Sequence, residues 1–248
     1  MNPIIFLIYL AQFVFLLPVK DRRSRRLGFP WMTLSLVILN TLIHLWVIFL
    51  ISRRPGSFSE AGWRLLYPYM EVPQLILQRE GLGALSVLTS GFLHGGWLHL
   101  LGNMFILWFF GRKVEDATGP FRFALFYLLC LFTSGLLSVA ARGLFSPAEA
   151  GIPGLGASGA IFGVMTAYLF LYADERILTF ILPIPWPFWL PVWVYIVRDL
   201  LLNALVAELV QTGAVFVTVN IFAHLGGAAG GLFFIYFFLH PEVFAQRR

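Results

Sequence analysis

The sequence predicts an all-α, polytopic membrane protein, and three observations carry that expectation. Of its 248 residues, 59% are hydrophobic and only 12% are charged, against about 25% charged in a soluble domain. The mean hydropathy is +0.84. The apolar residues gather in runs of roughly 15 to 21, the length a helix needs to cross a bilayer. The single cysteine, Cys130, sits inside one of these runs, which excludes a disulfide framework or a thiol-rich metal site. The net charge of +5 is spread over short loops. It therefore reports on topology, and no nucleic-acid partner is expected.

Residues 3–17 are apolar and precede Pro18 and the basic run Lys20, Arg22, Arg23, Arg25 and Arg26. No charged segment comes before them, as a signal peptide would require. The run is shorter than the roughly 20 residues of a full span. Residues 1–17 are therefore expected to form an apolar extension in the interface, with an extra short span as the alternative. Residues 18–248 are expected to form the main domain.

Residues 31–51 form a clean first span. The stretch 52–80 mixes Arg53, Arg54, Glu60, Arg64, Glu71, Arg79 and Glu80 with Trp63, Tyr67 and Tyr69, a composition suited to a loop in the headgroup region. No formal charge occurs from Gly81 to Gly111, so an interfacial or re-entrant piece should precede a second span at 94–112. A third span is expected at 121–141. A Gly/Pro-rich loop at 143–156 then leads to a fourth, from Ser158 to Ala173. Pro183, Pro185, Pro187 and Pro191 delay any helix to about residue 188, giving a fifth span at 188–206. A polar loop at 208–220 precedes the sixth, at 220–240.

Six spans place both ends of the chain on one side. That side carries eleven Lys and Arg against five on the other, which makes it cytoplasmic. The second, fourth and sixth spans then run from outside to inside. Each has its unusual polar residues at its outer end: His94, His99 and Asn103; Ser158; and His224. Ser158 is sixteen residues before Asp174 and His224 sixteen before His240. Sixteen residues rise about 24 Å, against about 30 Å of hydrocarbon. Both groups should lie about a turn below the outer boundary. The loop before Ser158 must dip to that depth, which irregular backbone tolerates only beside protein or water.

Serine is a weak nucleophile unless a base stands next to it, and the neutral imidazole of His224 is suited to that role. No carboxylate sits in a matching span, so the pair reads as a dyad. Acyl transfer also needs donors aimed at a developing oxyanion. His99 and Asn103 are four residues apart on one helix face, and the Ser158 amide stands at a helix start. Gly159 with Gly163, and Gly227 with Gly231, make small-x-x-x-small pairs just after Ser158 and His224, spacing that lets helices approach closely. The plain alternative reads the glycines as packing and His99 and Asn103 as helix bridges. A metal site from His94, His99 and His224 lacks a paired-histidine helix motif and any acidic ligand. No metal and no cofactor is expected. His44 and His240 read as packing residues, and Arg198 and Asp199 as interior polar contacts or a cavity lining.

Taken together, the chain resembles the rhomboid intramembrane serine proteases. The resemblance rests on His94, His99 and Asn103 in one span, Gly156-Ala157-Ser158-Gly159 opening another, and Ala223-His224 with Gly227 and Gly231 in a third. Val114-Glu115 and Gly119 add to it, and it covers residues 18–240. It implies a six-helix bundle in which Ser158 is the nucleophile and His224 the base. His99, Asn103 and the Ser158 amide would form the oxyanion hole. His94, Gly156, Gly159, Phe162, Gly227 and Gly231 would be structural near the site, with Glu115 structural at the cytoplasmic end of the second span. The implied activity is a serine endopeptidase acting on transmembrane helices of other proteins in the bilayer. A catalytically silent binder of such helices is the alternative. The expected location is a bacterial inner membrane, with the site opening outward. Two departures stand out. Leu85-Ser86 occupies the place of a Trp-Arg pair common in the family's first loop, which leaves the anchoring of that loop open. Phe162 replaces an aromatic hydroxyl, so it can stack on the histidine but cannot donate a hydrogen bond to it.

Overall fold

The computed structural model describes residues 17–21, 28–55, 58–180, 187–198, 201 and 220–239. Residues 1–16 of the expected N-terminal extension, Asp199, His240 and most of the loop at 208–220 fall outside them. Three helices among the described residues are long and apolar enough to cross a membrane: α1 (Trp31–Ser52), α7 (Pro120–Phe145) and α9 (Ile221–Phe238). A shorter apolar helix, α8 (Ser158–Leu171), packs against both α7 and α9, which also pack directly on each other. The protein is a helical membrane bundle; the full count of six spans depends in part on residues outside the described ones.

Between α1 and α7 lie short helices α2 (Phe58–Leu66), α3 (Pro73–Gln78) and α4 (Leu85–Ser90). They occupy the stretch for which the sequence predicts no span. The second span is one run of three pieces: α5 (Trp97–Ile106), a wider π turn (Leu107–Gly111) and α6 (Arg112–Thr118). It starts three residues later than expected, because Gly95 and Gly96 separate His94 from the helix. It also runs six residues further, to a stop that the chain spells out. Gly119 takes a positive φ of 82°, which glycine adopts without a Cβ clash. Pro120 then opens α7, where its missing N–H is no loss. Gly111 marks the crossing of the first and second spans. A Cβ there would sit 3.1 Å from both Leu107 Cδ1 and Thr33 Cγ2.

The end of the bundle where α8 stops holds a feature the apolar pattern does not announce. A three-stranded antiparallel sheet joins β1 (Leu17–Asp21), β2 (Arg176–Phe180) and β3 (Phe188–Pro191). Residues 188–191 were expected to begin the fifth span. They pair instead with β2, Ile177 opposite Leu190, and helical backbone begins at residue 193. The prolines that exclude a helix here leave an extended segment free to pair. Asp21 in β1 meets Lys113 at 3.1 Å and accepts a hydrogen bond from Tyr168, so the sheet is fastened to α6 and α8.

Glu115 closes the same end. Its Oε1 accepts the Met32 N–H at 2.9 Å, and its Oε2 accepts the Thr33 N–H at 2.7 Å and the Thr33 hydroxyl at 2.6 Å. Helix α1 has Pro30 at its N-cap and no side-chain cap of its own. A carboxylate on a helix more than eighty residues away satisfies the orphan donors of its first turn.

Candidate active site

Helices α8 and α9 meet along a seam of glycines. A Cβ on Gly227 would collide with the Gly159 carbonyl, and one on Gly231 with the Gly163 carbonyl. A Cβ on Gly163 would in turn sit 2.8 Å from the Gly227 carbonyl. Without side chains in the way the two backbones touch, as small residues allow in membrane helix pairs. Two short side chains at the top of the seam can therefore reach each other. Ser158 Oγ and His224 Nε2 are 2.8 Å apart.

Each member of this pair is held in place by local structure. Ser158 is the first residue of α8, so its backbone N–H has no intrahelical acceptor to serve. His224 stands in the first turn of α9, whose N-cap Asn220 accepts the Ala223 N–H at 3.1 Å. Phe162 lies one turn below Ser158, its ring 4.3 Å from the His224 ring and 10° from parallel. The stack fixes the imidazole plane without a hydroxyl.

Gly156 brings the remaining polar groups to the pair. Its φ is +122°, and a Cβ there would lie 2.7 Å from His99 Cε1, 2.8 Å from His99 Nε2 and 3.7 Å from Asn103 Nδ2. Only glycine lets the loop before Ser158 pass that close to the face of α5 bearing His99 and Asn103. Asn103 is buried, and its Nδ2 has no hydrogen-bond partner among the described residues. A buried amide donor left open is expensive, and here it stands beside the loop that leads to Ser158. His94 lies just before α5, stacked edgewise on His99 at 5.1 Å and on His44 at 6.4 Å. Among the described residues no His, Cys, Asp or Glu group has metal-binding geometry.

Arg198 holds its guanidinium over the Tyr195 ring at 5.5 Å, away from these residues. Sequence reasoning passed over a buried polar cluster at the end of the bundle that carries Ser158 and His224. Glu71 and Arg142 read there as loop charges. The structure buries both, with exposures of 5% and 4%, and joins them to Ser138 and Asn220. Only the odd placement of Ser138 and Arg142, four apart near the end of an apolar run, hinted at this. The first loop is thus anchored through Glu71, despite Leu85-Ser86 in place of Trp-Arg.

Comparison with known proteins agrees with this architecture. A family model described as "Rhomboid domain" matches residues 83–241. The chain is 34% identical over 128 residues to "Rhomboid protein 1, mitochondrial" of Saccharomyces cerevisiae, covering 51% of this chain and 35% of that protein. It is 33% identical over 149 residues to "Rhomboid protease GluP" of Bacillus subtilis, covering 59% and 24%. It is 29% identical over 193 residues to "Rhomboid-like protein 11, chloroplastic" of Arabidopsis thaliana, covering 72% and 58%. The chain thus spans about a quarter to three-fifths of the length of these relatives. They include organellar proteins, so the expected bacterial inner membrane gains no support over another membrane.

Proposed function

Starting from a chain that belongs to the rhomboid family, we propose that it is an intramembrane serine endopeptidase. It hydrolyses peptide bonds in or near transmembrane helices of other membrane proteins. The reading rests on one observation above all, the 2.8 Å contact between Ser158 Oγ and His224 Nε2.

In this reading His224 Nε2 takes the hydroxyl proton as Ser158 Oγ adds to the scissile carbonyl carbon. The carbonyl oxygen becomes an oxyanion beside the Ser158 N–H, Asn103 Nδ2 and the His99 ring, which stabilise the developing charge. Collapse breaks the C–N bond, and the imidazolium returns its proton to the leaving amine. A water molecule then repeats the sequence on the acyl-enzyme and frees Ser158. Phe162 keeps the imidazole plane fixed through both proton transfers. The substrate segment must be extended to present its carbonyl, so helix-weakening residues near the cut favour cleavage. The site opens to the side opposite the Lys/Arg-rich loops.

The test is labelling by a fluorophosphonate and cleavage of a transmembrane substrate in detergent or proteoliposomes. Wild type is expected to label and cleave, and Ser158→Ala to do neither. Equal behaviour of the two proteins, or no reaction of wild type with any of several substrates and probes, would sink the proposal. Retention of substrate helices by an unreactive wild type would favour the silent binder.

A further inference from the structure

We propose that Glu71 is a positioning residue for this site, tying together the two segments that deliver Ser158 and His224. The inference rests on the reading of those two residues as the reacting pair.

Glu71 lies between α2 and α3, far along the chain from either residue. Its backbone forms a two-way bridge with Gly154: the Glu71 N–H donates to the Gly154 carbonyl at 3.0 Å, and the Gly154 N–H donates back at 2.7 Å. Gly154 is four residues before Ser158. The Glu71 side chain turns to the other segment. Its Oε1 accepts the Ser138 hydroxyl at 2.5 Å, and Ser138 Oγ accepts a hydrogen bond from Asn220 Nδ2. Asn220 is four residues before His224, and its carbonyl accepts the His224 N–H at 3.3 Å. All these groups converge on one point. A Cβ on Gly154 would lie 3.5 Å from both Glu71 Oε2 and Asn220 Nδ2, and 3.6 Å from Arg142 Nη1.

The direction of the hydrogen bonds makes the chain specific. Asn220 N–H donates to a hydroxyl, which donates to a carboxyl oxygen. The other atom of the same amide, Oδ1, caps α9 by accepting the Ala223 N–H. Donor and acceptor are used at once, so the amide cannot flip or turn without losing one bond. The start of α9, and His224 one turn on, is thereby set relative to Glu71. Arg142 secures the other flank. Its Nη1 is 3.5 Å from Glu71 Oε1, and its Nη2 donates to the carbonyls of Glu149 and Ile152 on the way to Ser158.

The experiment measures kcat and KM on a transmembrane substrate, together with hydrogen exchange over residues 220–224. Glu71→Ala and Ser138→Ala are each expected to lower kcat about tenfold, as small misplacements of a reacting pair do, with KM within about twofold. Glu71→Gln keeps an acceptor oxygen and should recover most of the rate. Asn220→Asp separates positioning from simple capping. Aspartate is as good an N-cap but cannot donate to Ser138, so the rate should fall as in Glu71→Ala. The Glu71→Ala/Asn220→Ala double variant should be no slower than the slower single one. Wild-type kcat in Glu71→Ala, multiplying effects in the double variant, or wild-type kcat in Asn220→Asp would overturn the inference. Should Glu71→Ala fail to fold, Asn220→Asp decides alone. If wild type neither labels nor cleaves, the functional reading has failed and exchange decides: faster exchange at 220–224 in Glu71→Ala supports the tie, and unchanged exchange removes it.

Discussion

The two ends of the bundle each bury a glutamate, and the two are solvated in opposite ways. Glu115, 4% exposed, accepts three hydrogen bonds, two of them from the first-turn N–H groups of α1. Glu71, 5% exposed, has the Ser138 hydroxyl and a guanidinium at 3.5 Å. Burial pushes the Glu71 carboxyl up to about 7, and the pull of Ser138 and Arg142 in the other direction does not offset it. Equal burial thus gives two different devices. At the end of the bundle by α6, Glu115 with its three donors staples two helices together. At the Ser158 end, the less well served Glu71 holds two segments with little to spare, next to the residues that would have to react.

The comparison breaks most visibly at Glu115. Glu115→Ala strands the Met32 and Thr33 N–H groups and is expected to lower stability by about 3 kcal/mol, read as a fall in melting temperature in detergent. A melting curve matching wild type would show that the staple carries no weight. The next effect sharpens the contrast through pH. The Glu71 pKa rises on folding from 4.5 to about 7, so the folded state binds the extra proton. Its contribution is complete below about pH 4.5 and is lost as pH rises through about 7. The melting temperature of wild type should therefore fall between pH 5 and pH 8 by more than that of Glu71→Gln, which cannot ionise. Equal slopes for the two proteins would refute the assignment to Glu71. The smallest effect is at Thr33. Thr33→Val removes one of three donors to Glu115 and keeps the N–H bond, and should cost about 1 kcal/mol with cleavage unaltered. A loss as large as that of Glu115→Ala would mean the donors do not share the load.

Much of the bundle was readable in the sequence because membrane spans have sharp apolar edges. The bounds of α1, α7, α8 and α9 fall within a few residues of those edges. Counting residues to the far end of each span brought Ser158 and His224 to one level, and the structure has them in hydrogen-bond contact. What the sequence hid is long-range. Nothing near residue 188 says that Phe188–Pro191 pairs with Arg176–Phe180 rather than starting a helix. Lys113 and Arg142 were counted as loop cations, yet both are buried and paired, with Asp21 and Glu71. Setting them aside leaves ten against four, so the bias on which the expected orientation rests keeps its sign. Glu71 looked like any charge in a wet loop, because its partners Ser138 and Arg142 are 67 and 71 residues away.

The glycine seam between α8 and α9 has a kinetic consequence. A Cβ on Gly227 would overlap the Gly159 carbonyl and one on Gly231 that of Gly163, so the two backbones lie too close to admit any side chain between them. Packing this close favours motion of the two helices as one unit, with Ser158 and His224 carried together. Whatever parts to admit a guest polypeptide has to be one of the more loosely fitted elements around that unit.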